Sequence, residues 1–177
     1  TFALISEDEA AGAVFIKDAR DKGASIDGVY LKYLSAAART LGEWWDNDLV
    51  SFTQVMLATS RIYGIMQSLR DAFAAPSAYS NRHALFAPVP GETHTLGVRM
   101  ATDLFRKDGW QITLKICDTH DELLQEIEKS SPMVVGLSAA GGHSISALAR
   151  LVVAIRIRRP STKIFVSGQG GIEDRDA

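Results

Sequence analysis

The feature that most constrains this chain is an alternation that begins near residue 84. Four short apolar runs stand out: Ala84-Leu85-Phe86-Ala87-Pro88, Gln111 to Cys117, Pro132 to Leu137 and Lys163 to Ser167. Between them lie stretches with helical spacing, from about Thr95 to Asp108, Thr119 to Lys129 and Ser144 to Arg158. Strands alternating with helices of this length make βαβ units, and right-handed crossovers then give a parallel sheet with helices on both faces. The predicted class is therefore α/β for residues 84–177. The chain stops soon after Gly171, before any fifth strand, so this domain is expected to be truncated, its C-terminal edge missing or supplied by something else.

Residues 1–74 read differently, as a bundle of helices. Ser6 with Glu9 has capping-box spacing, and Ala10, Val14, Phe15 and Ala19 follow at helical intervals. A second helix is predicted from about Ser25 to Trp45, with Ile26, Val29, Tyr30, Tyr33, Leu34 and Leu41 on one side. Ser51 and Gln54 repeat the capping spacing and open a third, reaching about Phe73. Pro76, Ser77, Ser80 and Asn81 mark residues 75–83 as a linker.

Composition excludes several classes. A net charge of −2 offers no field for nucleic acid, and Arg150 to Arg159, interleaved with apolar residues, reads as an amphipathic helix with a solvated basic face. Cys117 is the single cysteine, so an internal disulfide and a cysteine zinc site are excluded. No apolar run is long enough to span a membrane, and the amino terminus does not read as a signal peptide, so a cytoplasmic protein is expected. The first residue is Thr1, which suggests a piece of a longer protein with further domains.

In open α/β sheets ligands bind beyond the carboxyl ends of the strands, where the winding reverses. Three segments qualify: Gly91 to Gly97 after the first strand, Ser138 with Gly141-Gly142 after the third, and Gly168 to Gly171 after the fourth. A flavodoxin-like order makes the first and third strands neighbours and brings His94 close to Ser138. Imidazole is a good axial ligand for cobalt or iron, and its second nitrogen needs a partner to fix the tautomer. Glu92 is placed to accept that proton, Ser138 to bond the carboxylate or the ligand, and Gly170 and Gly171 to let a ligand approach the backbone. Without a cofactor, His94 is a loop histidine bonded to Glu92, and Ser138 only satisfies backbone groups. His143 is a runner-up ligand. Asp118-Thr119-His120 reads as a helix cap, and Cys117 as a buried, inert thiol.

These positions resemble the vitamin B12-binding domain, whose fingerprint is Asp-x-His-x-x-Gly, later Ser-x-Leu, then Gly-Gly. Here they read Glu92-Thr93-His94-Thr95-Leu96-Gly97, Ser138-Ala139-Ala140 and Gly170-Gly171. Glu replaces Asp and Ala140 replaces Leu, which counts against cobalamin itself. The helical half resembles the cap of B12-dependent photoreceptor regulators. It keeps the tryptophan in Gly42-Glu43-Trp44-Trp45 but has Val55-Met56 where the family's Glu-His supplies the upper ligand.

Taken together, the chain resembles the SCHIC domain (sensor containing haem instead of cobalamin) of AppA-like photosynthesis antirepressors, related to AerR. That resemblance implies haem as favoured cofactor, with cobalamin as the alternative in a regulator or corrinoid methyl carrier. It also implies a PpsR-type transcriptional repressor as partner and redox- or light-linked signalling. No general acid/base pair, activated nucleophile or phosphate loop stands out in the sequence, so no independent catalysis is expected. Aligning the cap puts Met56 at the upper ligand position and His94 at the lower, a His/Met haem arrangement. Trp44 and Trp45 are then expected to stack on the macrocycle. The competing readings are that Met56 packs with Val55, Thr59 and Ile62, that the tryptophans fill the cap core, and that the chain is a cofactor-free interaction scaffold.

Overall fold

The computed structural model describes residues 1–71 and 82–168, apart from the side chain of His143. The chain forms two compact units, Thr1–Phe73 and Ala74–Ala177.

The first unit is helical: α1 (Phe2–Ile5), α2 (Ala11–Asp21), α3 (Ile26–Gly28), a π-helical segment (Val29–Leu34), α4 (Ser35–Asp46) and α5 (Phe52–Arg70). The 3.6-residue period puts Ala58, Ile62, Ile65, Met66 and Leu69 on one buried stripe of α5. The predicted capping box forms at its start: Ser51 Oγ accepts from the Gln54 N–H, and Gln54 Oε1 accepts from the Ser51 N–H. Arg61 on α5 donates to the carbonyls of Leu4 and Ser6, satisfying the open end of α1.

The capping box expected at Ser6 and Glu9 does not form. Ser6 terminates α1, and its hydroxyl donates to the carbonyls of Ala3 and Asp8. Asp8 Oδ1 instead accepts from the Ala10 N–H, and α2 starts at Ala11. The predicted second helix is a continuous run in three pieces. Its middle widens so that the Ser35 N–H reaches the Tyr30 carbonyl, five residues back, while Ser35 Oγ donates to Leu31. Val29, Tyr30 and Leu34 remain buried through that widening.

The second unit alternates as predicted: β1 (His83–Pro88), α6 (Leu96–Lys107), β2 (Gln111–Leu114), α7 (His120–Ser130), β3 (Val134–Ser138), α8 (Gly142–Arg158) and β4 (Lys163–Ser167). The strands run in the order β2-β1-β3-β4, and every pairing is parallel. The β1–β3 register runs from Ala84 opposite Val134 to Pro88 opposite Ser138. β2 is shorter than the apolar run. After Leu114 only the Lys115 N–H still reaches Phe86 O, and Cys117 lies beyond the ladder, half-buried.

Period-two alternation divides the sheet into two faces. Leu85, Ala87, Val89, Val135, Leu137 and Ala139 pack under α7 and α8, against Leu123, Leu124, Ile127, Ala147, Leu151 and Ile155. Ala84, Phe86 and Ile112 face the other way, with Val98 of α6. Helices on opposite faces, leaving from neighbouring β1 and β3, create the reversal of winding. On α8 the helical period buries Leu151 and Ile155 but leaves Val153 and Ile157 in solvent, so its outer face is mixed rather than simply basic. The Thr119–Glu122 capping box is present on α7. Among the described residues no helix is long and apolar enough to cross a membrane.

Gly136, mid-strand in β3, is required by packing: a Cβ there would lie 2.6 Å from Cδ1 and 2.8 Å from Cε1 of Phe86. Gly136→Ala is therefore expected to destabilise the chain by about 1–3 kcal/mol through overpacking. Urea denaturation checks this, and a midpoint equal to wild type counts against it.

Candidate functional site

The site grows from the end of β1. Val89 N–H donates to Ser138 O, extending the β1–β3 ladder by one rung. The chain then turns sharply, with Glu92 N–H donating to Val89 O at 3.0 Å. Pro90 fixes the first central position of that turn, and Gly91 takes φ 89° at the second, which favours glycine. This turn swings the Glu92 side chain back beneath the loop, where its exposure is 0%.

Buried there, the carboxylate meets four donors. Oε1 accepts from the His94 N–H at 2.8 Å and from His94 Nδ1 at 2.7 Å. Oε2 accepts from the Ala140 N–H and from Ser144 Oγ, both at 2.8 Å. Burial alone would raise the Glu92 pKa, but the bonds from His94 N–H, Ala140 N–H, Ser144 and the His94 ring together outweigh it and hold the group at about 2. An ionised carboxylate can only accept, so Nδ1 must carry the proton. The neutral imidazole then has its lone pair on Nε2, and the ring is 70% exposed. The result is an imidazole oriented by Glu92, with Nε2 on the exposed side at the switch point.

Glu92 and His94 are thus brought together as expected, but Ser138 is not part of the carboxylate's shell. Its backbone carbonyl joins the ladder through Val89, and the hydroxyl on Glu92 comes from Ser144. The reason is reach: Ser138 ends a strand whose ladder fixes it, whereas the longer glutamate arm extends to the first turn of α8. The sequence reading missed Ser144 and the Ala140 amide, because both depend on where α8 begins and how it is rotated.

Gly97 lies exposed in the first turn of α6, and a Cβ built there meets nothing within 4 Å. The fold does not demand glycine at this position. Gly168, at φ 132°, is different, since a Cβ there would overlap the carbonyl of Ala139. Gly170, Gly171 and the side chain of His143 fall outside the described residues. Cys117 has its thiol pKa raised, first by burial and then by Glu122 and Glu126, so it is not poised as a redox thiolate. Among the described residues no group of three His, Cys, Asp or Glu gathers to hold a metal ion.

In the helical unit the two tryptophans part company. Trp44 is half-buried against Phe2, ring centroids 4.9 Å apart, while Trp45 is exposed and meets Phe52 edge-on at 6.3 Å. Met56 is 56% exposed, with Leu49 and Phe52 also in solvent. That exposure is more than the competing reading, in which Met56 packs with Val55, Thr59 and Ile62, leads one to expect.

Residues 82–175 match the B12 binding domain family, and the chain belongs to that family. It is also similar to an uncharacterized 20.5 kDa protein in the bchF-crtJ intergenic region of Rhodobacter capsulatus, 33% identical over 91 residues that make up 50% of this chain and 47% of the relative. The chain thus spans about half the length of the curated relative it matches. Among solved structures, the monomethylamine corrinoid protein of Methanosarcina barkeri is 19% identical, with a TM-score of 0.78 over 99% of this chain and 86% of that chain. That likeness shows the fold, a helical part followed by a flavodoxin-like parallel sheet.

The Glu92 carboxylate makes acid stability a direct test of the site. Its folded pKa of about 2 lies below the ordinary glutamate value of 4.5, so the unfolded chain takes up a proton first as pH falls. The stabilisation is complete above the unfolded value and is lost between there and the folded one. A shift of this size corresponds to about 3 kcal/mol. Glu92→Gln is expected to be less stable than wild type at pH 7, with the gap closing as pH approaches the folded value. Urea midpoints that stay parallel throughout overturn this assignment.

Proposed function

We propose that this chain is a cobalamin-binding sensory module, cytoplasmic and without catalysis of its own, in which His94 Nε2 would hold the cobalt. The observation that carries the reading is the buried Glu92, which holds the proton on Nδ1 and leaves Nε2 free on an exposed ring. Bound cobalamin would supply a redox-active cobalt already held by its macrocycle, for which one protein imidazole suffices. The chain's own part is to orient that imidazole and keep the nearby surface bare, and Gly97 fits the second role because nothing in the fold requires it. Family membership supports cobalamin ahead of haem, reversing the order that the SCHIC resemblance suggests.

Haem is the second reading, because iron would use the same exposed imidazole. The output we propose is contact with a PpsR-type transcriptional repressor or with other domains of a longer chain. This part rests on the resemblance of Gly42-Glu43-Trp44-Trp45 and Glu92 to Gly97 to AppA-like and AerR-like regulators.

Titration with aquocobalamin and, separately, with haemin tests the cofactor. Expected is a saturable corrin spectral change that His94→Ala abolishes and Met56→Leu leaves intact. A saturable Soret shift with haemin alone, sensitive to His94→Ala, replaces cobalamin by haem. No change with either leaves only the interaction scaffold. Gly97→Ala is expected to keep or raise thermal stability, since alanine is favoured over glycine in helices by about 0.5–1 kcal/mol, while weakening aquocobalamin binding. Unchanged affinity removes Gly97 from the site.

A further inference from the structure

We propose that the helical unit holds a ligand site of its own: a cavity among α1, α2, α4 and α5 that takes a small monocarboxylic acid with an aromatic ring, its carboxylate at Lys32. The cavity has a volume of about 240 Å³, and its walls include the buried side chains of Leu4, Ile16, Leu34, Ala37 and Ile65. Protein interiors are packed so closely that voids larger than a water molecule are few. An apolar void of roughly 150 Å³ already admits benzene, so this one has room for a ring with a short side chain. Trp44, Trp45 and Met56 take no part in its lining, which sets it apart from the cofactor reading of this unit.

Two backbone features border that space. The π-helical segment, Val29–Leu34, supplies three lining residues, Lys32, Tyr33 and Leu34, so the widened stretch of the long helical run is the one that faces the void. Widened turns of this kind are frequent at functional sites. Gly12 of α2 also lines the cavity, and a Cβ there would come 2.9 Å from Leu4 Cδ2 and 3.5 Å from Ile65 Cδ1. Glycine at this position leaves both wall side chains where they are.

The lining also selects charge. Lys32 is its one charged side chain, is exposed, and forms no ion pair among the described residues. A lysine stem can lie along apolar surface while its ammonium stays in water. The hydroxyl-bearing Tyr33 and Thr40 are half-buried in the same lining. Phe15 and Tyr33 meet edge-on with centroids 5.9 Å apart, and a third ring can join them in the same geometry. A cation at the mouth, no carboxylate beside it and an apolar interior fit an anionic head on an aromatic body. A ligand polar throughout would lose its water to walls that return no hydrogen bond.

The test titrates the whole chain with 3-phenylpropionate and, separately, with its neutral counterpart 3-phenylpropanamide, followed by carbon–proton NMR of the methyl groups. Expected are saturable shifts at Leu4, Ile16, Leu34 and Ile65. The acid is expected to bind about fivefold more tightly than the amide, the size of a well-placed ion pair near the surface. Lys32→Gln, a change on an exposed side chain, is expected to erase that preference and leave amide binding as it was. Ala37→Leu fills the cavity and is expected to abolish both sets of shifts while keeping or raising thermal stability. If Ala37→Leu fails to fold by circular dichroism, Thr40→Leu, nearer to solvent, serves instead. Three results overturn the proposal: no saturable shift with the acid, equal affinity for acid and amide in wild type or a preference that survives Lys32→Gln, and full binding in the folded cavity-filled variant. No arm involves His94 or aquocobalamin, so this site and the proposed cobalamin site stand or fall separately.

Discussion

A carboxylate taken out of water destabilises a fold by several kcal/mol unless donors fill its lone pairs, and the whole candidate site is organised around meeting that condition at Glu92. The four donors come from three stretches of chain: the loop after β1, the loop after β3, and the first turn of α8. Each stretch is fixed by something larger. The Pro90-Gly91 turn sets the first, the β3–β4 ladder the second, and the apolar face of α8 the third. Without the loop after β3 and the first turn of α8, Oε2 would be left buried and under-bonded. The site is thus assembled by the core and cannot form piecemeal.

Much of this was legible from local pattern. The strand alternation and two of three capping boxes follow from residue spacing, since each depends on neighbours close in sequence, while the β1–β3 adjacency follows from the flavodoxin-like order. The Ser6–Glu9 box failed because two local hydrogen-bond schemes competed. Ser6 was needed to finish α1, and the Asp8 carboxylate was nearer to the Ala10 amide. The π-helical segment left no mark, because Val29, Tyr30 and Leu34 are buried whether the turn is tight or wide. Its cause lies in packing, which spacing does not encode.

The site divides along the same line. Glu92 and His94 are two residues apart, and their pairing is a property of one loop, so a fingerprint finds it. Ser144 lies 52 residues from Glu92 in sequence. Its part depends on the rotation of α8, and that rotation is decided by Ala147, Leu151 and Ile155 meeting the sheet. A serine in the first turn of a helix is ordinary in sequence. It becomes informative only when a buried acceptor is found opposite it.

A single imidazole also limits how such a site can choose its ligand. Cobalt in a corrin and iron in a porphyrin both accept a neutral nitrogen, so His94 by itself discriminates weakly. Selection must come from the surface beside it, where a corrinoid differs by carrying a nucleotide tail. There the Ala140 N–H donates to Glu92 and the Ala139 N–H to Ser167 O, which ties the backbone of this loop to the site and to β4. The space available is then set by side-chain size, and the change from leucine to Ala140 enlarges it. The departure from leucine at Ala140 removes side-chain bulk next to the carboxylate, and a loss of bulk is no argument against a larger ligand.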